Sequence, residues 1–111
     1  AEAQNYMGFY YFNGIGVLVD YEEGLKWYRK AAEQGDAVAQ FNCGVVYFQG
    51  DGVPQYDAKA YMFFNLAAAK DYENAEKYID LIEKRTTKDQ IAEGEKLTRE
   101  WLERQAKEKG E

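Results

Sequence analysis

The sequence predicts an all-α protein, a solenoid of helix-turn-helix repeats closed by a C-terminal capping helix. Three observations predict this fold: two stretches repeat each other at a spacing of 36 residues, apolar residues recur at helical spacing in each, and glycines follow the helical patterns. A repeat of this length is too small to bury its own apolar face, so it is stable only when neighbouring repeats stack on it. The 111 residues are therefore expected to form one continuous domain.

The two copies of the repeat occupy residues 3–32 and 39–68. The first carries Ala3, Gln4, Gly8, Tyr11, Gly14, Gly16 and Val17, and the second carries Ala39, Gln40, Gly44, Tyr47, Gly50, Gly52 and Val53 at the matching positions. We predict repeat 1 at 1–36, repeat 2 at 37–72, and a partial third repeat with the capping helix at 73–111.

Helical periodicity predicts six helices, near residues 2–13, 20–34, 38–49, 57–70, 73–85 and 88–107. In the first helix of each repeat the predicted core face is Ala3, Met7, Tyr10 and Tyr11, then Ala39, Cys43, Val46 and Tyr47. Gly8 and Gly44 lower helix propensity, so we expect each to permit a close approach between helices. Glycine turns at Gly14-Ile15-Gly16 and Gly50-Asp51-Gly52 end these helices.

The second helix of repeat 1 is expected to begin at Asp20 as N-cap, with Glu23 completing a capping box. Its predicted core face is Gly24, Trp27, Tyr28, Ala31 and Ala32. In repeat 2 Tyr56 cannot cap, so we expect that helix to start one residue late, with Asp57 as its cap or first-turn acid. Met62 and Leu66 make its outer face apolar, which predicts that the C-terminal helices cover it.

The third repeat is predicted to open with an apolar helix and to end with a capped, mostly polar one. The apolar positions of the first are Ala75, Tyr78, Ile79, Leu81 and Ile82, and those of the second are Ile91, Leu97, Trp101 and Leu102. Thr87 is the expected N-cap of the last helix, with Gln90 at the capping-box position. A polar terminal unit of this kind closes the exposed end of a solenoid.

Composition argues against several classes of function. The net charge of −6 has the wrong sign for a nucleic-acid binder. No apolar run reaches the roughly 20 residues that cross a bilayer, and no signal-peptide pattern is present, so membrane insertion is not expected and the compartment stays open. The chain starts at Ala1 inside a helical pattern, which predicts a processed product or an excised piece.

Residues that carry chemistry are scarce. The chain has no His and one Cys, so we expect no metal site, no cofactor and no enzymatic activity. Cys43 lies on a predicted core face and is expected to be a buried apolar residue rather than a nucleophile. The two Gly-x-Gly pairs follow helices instead of strands, so they predict turns and not a phosphate-binding loop.

On this repeat pattern, residues 1–72 resemble two near-complete copies of the Sel-one-like repeat (SLR), a relative of the tetratricopeptide repeat. The segment from Ala75 through Trp101 resembles the C-terminal tail of bacterial members of that family. The chain departs from the pattern at Met7, Cys43, Gly24 and Tyr56-Asp57. The resemblance implies antiparallel helix pairs in a right-handed superhelix, whose first helices line a concave groove. It also implies an adaptor role without catalysis, often in bacterial envelope or signalling assemblies, in the cytoplasm or periplasm.

Helical geometry predicts which residues line that groove, because they lie opposite the core face of the first helix in each repeat. The predicted binding residues are Asn5, Phe9, Phe12, Phe41, Val45, Phe48, Lys77, Leu81, Lys84 and Arg85. Phenylalanines on an open face are typical of interaction sites. As alternatives, Phe12 and Phe48 pack partly within the chain, or Phe9 is covered by an absent N-terminal repeat or by self-association.

The change from aromatic to basic residues along the groove predicts the partner. We expect a peptide segment or loop of another protein with apolar side chains at one end and an acidic group, such as a C-terminal carboxylate, at the other. A scaffold or adaptor would use this groove, and so would an inhibitor or immunity protein that blocks a secreted enzyme. The sequence does not separate these two functions.

Overall fold

A computed structural model describes residues 2–50 and 52–110, which fold into six α-helices without a strand. They are α1 (Glu2–Asn13), α2 (Tyr21–Glu33), α3 (Ala37–Gln49), α4 (Asp57–Ala68), α5 (Ala75–Arg85) and α6 (Lys88–Glu108). The all-α prediction is confirmed, and every predicted helix end lies within two residues of the observed one. The turn residue Asp51 and the predicted domain limits at Ala1 and Glu111 lie outside the described residues.

Consecutive helices pack on each other in the order that a stacked repeat requires. The pairs α1/α2 and α3/α4 form the two repeats, α3 joins them by packing on α2, and α5 and α6 both pack on α4. Gln40 strengthens the joint between the repeats, because its buried Nε2 donates a 3.2 Å hydrogen bond to the Ala32 carbonyl at the end of α2. The α/α solenoid predicted from the period is confirmed.

The loop inside each repeat is held by the same backbone hydrogen bond. The amide of Asp20 donates to the Tyr11 carbonyl at 2.9 Å, and 36 residues later the amide of Tyr56 donates to the Tyr47 carbonyl at 3.1 Å. Gly14 and its counterpart Gly50 have φ values of 67° and 74°, in the left-handed region where glycine carries no steric cost. The predicted glycine turns are confirmed over the described residues.

This loop bond also explains a wrong prediction about α4. Because the bond holds Tyr56 in the same way as it holds Asp20, α4 begins in the same register as α2 and not one residue late. Tyr56 is the N-cap of α4, although its side chain makes no capping hydrogen bond. Asp57 is a first-turn acid, as predicted. In α2 Asp20 accepts the Glu23 amide at 3.1 Å, whereas its own amide is taken by the loop bond, so the reciprocal half of the capping box is not formed.

Two helix ends differ slightly from prediction for local reasons. Asp36 caps α3 by accepting the Ala39 amide at 2.9 Å, so α3 begins at Ala37 and the cap was missed. At the end of repeat 2 the chain leaves α4 after Ala68 and passes through Asp71, whose φ is 60°. Asp71 stands where repeat 1 has Gly35, with φ of 90°, so the left-handed turn is conserved in shape although the residue differs.

Helix α4 lies at the centre of the core. Phe63 and Phe64 are fully buried, and Trp101 of α6 meets Phe63 edge-on at a ring-centroid distance of 5.4 Å. Met62 and Leu66 are also buried, which confirms that the C-terminal helices cover the apolar outer face of α4. Of the other predicted core residues in the last two helices, Ala75 and Ile82 are buried, and Tyr78, Ile79, Ile91 and Leu97 are half-buried against the core. Leu102 is more than half exposed and Leu81 is exposed, so these two were assigned wrongly.

The predicted core face of α1 is partly wrong. Ala3 and Tyr10 are exposed, whereas their counterparts Ala39 and Val46 are buried. The reason is stacking: α2 covers this face of α3, while among the described residues no helix covers the same face of α1. This face of α1 is therefore exposed in the part of the chain that the structure describes.

The predicted core face of α2 is corrected at one position. Trp27 is only half-buried and lies outside the core, with the Lys30 ammonium 4.6 Å from its ring centroid. Leu25, which the periodicity analysis omitted, is buried instead. Tyr28 and Ala31 are buried as predicted.

Glycine permits close helix approach in both repeats, as predicted. A Cβ atom on Gly8 would lie 2.7 Å from the Tyr28 ring, and one on Gly44 would lie 2.6 Å from the Phe64 ring. Any side chain at these positions would overlap an aromatic ring of the following helix.

Candidate functional site

An open cleft runs between α1 and α3. It consists of three adjoining depressions of about 360, 300 and 160 Å³, which share lining residues with one another. We call this surface the α1–α3 cleft and define it by its central residues, Asn5, Tyr6, Phe9, Tyr28, Asn42 and Val45. A cleft of this size can accept a side chain together with part of a peptide backbone.

The corresponding space one repeat later, between α3 and α5, is filled by aromatic rings. Phe41 lies 4.8 Å from Tyr72 and 5.3 Å from Tyr78, measured between ring centroids. Tyr78 in turn stacks on Phe64 at 5.0 Å, and Phe64 is fully buried. Rings at these distances attract one another and leave no opening for a partner.

The three covering rings are those of Phe41, Tyr72 and Tyr78. The equivalent positions 36 residues earlier hold the short polar side chains of Asn5, Asp36 and Asn42. The ring that they would cover is that of Tyr28, which lines two of the three depressions. An asparagine or aspartate is too short to reach across the space that a phenylalanine or tyrosine spans. The α1–α3 cleft is therefore open because of three residue differences between equivalent repeat positions.

Polar atoms in the cleft are only partly satisfied. Asn5 Nδ2 donates a 2.7 Å hydrogen bond to Asp36 Oδ2, the oxygen that also caps α3. Asn5 Oδ1 is buried and has no hydrogen-bond partner in the described residues. A buried acceptor without a donor costs free energy, so a ligand N–H or O–H at this point would be favoured. Burial raises the pKa of the neighbouring Tyr28 phenol to about 12, with Cys43 as a smaller cause, so Tyr28 is neutral near pH 7.

Four of the predicted groove residues lie in or beside this cleft. Asn5 and Phe9 line it, and Phe9 is 47% exposed. Val45 lines its inner end. Phe12 lies there too, but it is half-buried and packs 5.4 Å from the rings of both Tyr21 and Tyr28. The structure therefore brings these four together, with Phe9 the most accessible.

Phe41 and Phe48 belong to the packed α3–α5 side instead. Both are half-buried against the core. The alternative stated above, that Phe12 and Phe48 pack within the chain, therefore fits both residues. The Arg85 guanidinium is engaged: it pairs with Asp57 Oδ1 at 2.5 Å, donates to the Phe48 carbonyl at 2.7 Å and lies 3.7 Å from the Phe48 ring centroid. Arg85 thus joins α3, α4 and α5.

The remaining predicted groove residues, Lys77, Leu81 and Lys84, are exposed on α5. None of the three lines the α1–α3 cleft. The structure therefore divides the ten predicted residues into two groups. Which of them contact a partner remains a prediction.

Sequence reasoning missed Tyr6, Tyr28 and Asn42 as cleft residues. Tyr6 was left out because it lies between the two predicted faces of α1, and it is 53% exposed. Tyr28 was assigned to the core, which is where most of its surface lies. The available signal was a position-by-position comparison of the repeats, which shows Asn42 where the next repeat has Tyr78.

Residues of metal-binding type are scattered over the part of the chain that the structure describes. No group of three His, Cys, Asp or Glu side chains there could hold a metal ion. Cys43 is fully buried, and burial raises the pKa of its thiol far above the ordinary value, in agreement with a packing role. None of the described helices has both the length and the hydropathy that crossing a membrane requires.

Comparison with known proteins gives the same repeat limits as the internal period. The model of the Sel1 repeat matches residues 1–36 and 37–72. A sel1-like repeat-containing protein of Acanthamoeba polyphaga mimivirus is 39% identical over 46 residues, which are 41% of this chain and 9% of that protein.

Two solved structures share the fold. A protective antigen of uropathogenic Escherichia coli strains that displays an SLR fold superposes with a TM-score of 0.86 at 33% identity, over 96% of this chain and 23% of that one. A Sel1 repeat protein from Oxalobacter formigenes superposes with a TM-score of 0.71 at 32% identity, over 96% of this chain and 43% of that one. The chain spans less than half the length of each of these proteins. Two full repeat matches, the stacked helix pairs and these superpositions together make the chain a member of the Sel1 repeat family.

Proposed function

We propose that the chain binds a peptide segment or loop of another protein in the α1–α3 cleft and acts as a scaffold or adaptor. Sel1 repeats are helical modules that generally mediate protein–protein interaction. The observation that carries the proposal is the contrast between equivalent spaces: the α3–α5 space is filled by Phe41, Tyr72 and Tyr78, whereas the α1–α3 cleft is open.

The chemistry of the cleft suits such a segment. Phe9 and Tyr28 offer aromatic surface for an apolar side chain, and aromatic anchors commonly supply most of the affinity of an interface. Asn5 Oδ1 offers an acceptor for a backbone N–H of the segment. Lys77 and Lys84 on α5 are exposed and would attract an acidic group at the far end of the same partner.

Peptides selected by display on the immobilised protein provide a ligand for the test. Asn42→Tyr introduces the ring that fills the equivalent space in the next repeat, so it should block the cleft and weaken the selected peptides at least about tenfold. Because Tyr78 shows that a tyrosine fits this repeat position, the variant should fold. Its thermal melting should match that of the parent or exceed it.

Lys96→Tyr is the matched control, since it adds the same ring on the exposed side of α6. Equal binding by the parent and the folded Asn42→Tyr protein would contradict the proposal, whereas loss of binding only in Asn42→Tyr would support it. A natural partner that is an enzyme, and that loses activity on binding, would assign the same surface to an inhibitor or immunity protein.

A further inference from the structure

Positively charged side chains from three helices converge on a face outside the α1–α3 cleft. Arg29 belongs to α2, Lys59 to α4 and Arg104 to α6. Lys59 Nζ lies 5.2 Å from the ring centroid of Tyr47, and Arg29 lines a depression whose wall includes the same tyrosine. Arg29 and Lys59, which are far apart in sequence, therefore place like charges near the Tyr47 ring.

A row of packed rings holds this arrangement in place. Tyr47 stacks on Phe63 at a centroid distance of 6.0 Å, and Phe63 meets Trp101 at 5.4 Å. Lys59 lies over the first ring of the row, and the Arg104 guanidinium lies 5.6 Å from the centroid of the last. Cation–π contacts with this buried row favour these positions of Lys59 and of the exposed Arg104.

None of these three cations forms an ion pair with a carboxylate of the described residues. The one ion pair in residues 2–50 and 52–110 joins Arg85 to Asp57, although acidic residues outnumber basic ones by 20 to 14. Burial lowers the pKa of Lys59, and the charges of Arg29 and Arg104 lower it further. Repulsion among like charges raises the free energy of the folded state, and Glu33, which lines the same depression as Arg29, offsets part of it.

The depression beside them is open and combines apolar with charged side chains. Its volume is about 430 Å³, and Leu25, Tyr47 and Val53 supply its apolar surface. Its positive charges are those of Lys26, Arg29 and Lys30, and Lys59 lies beside it over the Tyr47 ring. Glu22 and Glu33 also line it and would repel a phosphate dianion or a polyanion. The composition therefore fits a single carboxylate next to an apolar side chain.

We propose that this depression binds a carboxylate-bearing segment of another protein, in which a Glu or Asp side chain approaches Arg29 and Lys59 while an adjacent apolar side chain enters against Leu25 and Val53. Charge complementarity selects the occupant, since an acidic group relieves the repulsion that the free protein carries. The surface is separate from the α1–α3 cleft and does not depend on the function proposed for it.

The probe is a fluorescein-labelled, C-terminally amidated peptide with a central Ala-Leu-Glu-Phe sequence and no other acidic residue, measured by fluorescence anisotropy. The parent should bind it saturably, and Arg29→Gln should lower the affinity at least about tenfold. The control Arg99→Gln removes the same charge from the exposed side of α6 and should change the affinity less than about twofold. An analogue with Gln in place of Glu should not bind.

Folding of the variant is checked by its melting temperature, which should equal or exceed that of the parent because a repulsive charge is removed. Inorganic phosphate should displace the peptide no better than chloride at equal ionic strength. Equal losses in the two arginine variants, equal binding of the Gln analogue, a lowered melting temperature of Arg29→Gln, or preferential displacement by phosphate would each overturn the proposal.

Discussion

Alanine at the two equivalent glycines, Gly8 and Gly44, tests how freely the facing ring can move in each repeat. In a helix interior Ala is favoured over Gly by about 1 kcal/mol. Opposing this, the new Cβ atom would lie 2.7 Å from the Tyr28 ring in Gly8→Ala and 2.6 Å from the Phe64 ring in Gly44→Ala. Overpacking of a tight core costs about 1 to 3 kcal/mol.

The two rings differ in their surroundings. Phe64 is fully buried against Tyr78 and cannot move aside, so Gly44→Ala should meet the upper part of that cost and lose about 2 kcal/mol of unfolding free energy after the propensity gain. Tyr28 borders the open cleft and can tilt into it, so Gly8→Ala should stay within about 1 kcal/mol of the parent.

Urea denaturation followed by circular dichroism measures both changes, provided that the slope of the transition is the same for all three proteins. If the two variants lose equal free energy, or if Gly44→Ala is the more stable of the two, the contrast between an open and a filled space is refuted.

Three further predictions concern the buried aromatic and sulfur groups. Trp101→Ala should cost about 3 to 5 kcal/mol in chemical denaturation, whereas the half-buried Trp27→Ala should cost less than about 2; equal losses would contradict the core boundaries. Burial raises the pKa of Tyr28 to about 12, so the stability that its neutral hydroxyl contributes is complete below the unfolded pKa of about 10 and is lost as the pH rises from 10 through 12. Tyr28→Phe should therefore flatten the fall in unfolding free energy over this pH range, and an unchanged slope in the variant would contradict the prediction. Cys43 should react with a thiol reagent only in denaturant, and rapid labelling of the native protein would show that it is not buried.

The fold was predictable because the repeat period and the 3.6-residue periodicity specify the same helices. Gly8 and Gly44 were read correctly as points of close approach, since each lies in a helix where glycine otherwise only lowers stability. The errors fell where a neighbour, and not the helix itself, determines burial. Ala3 and Tyr10 occupy a core position of the repeat, but at this end of the solenoid no described helix packs on them.

The candidate site was less predictable because groove positions were assigned by helix face alone. A face assignment cannot show that Phe41 is covered by Tyr72, which follows α4, or that Arg85 is held by Asp57 of α4. Such contacts depend on which side chains meet across two repeats. Position-by-position comparison of the repeats was the missing step, since it exposes Asn5 and Asn42 as the short residues at an interface that is otherwise aromatic.

Chemical-shift mapping of a display-selected peptide on the isotope-labelled protein tests the central claim most directly. The account predicts that the largest changes occur at the backbone amides of Phe9 and Val45 and at the side-chain amides of Asn5 and Asn42, with little change in α6. Changes concentrated at the filled α3–α5 side, around Phe41, with the α1–α3 cleft unaffected, would contradict it.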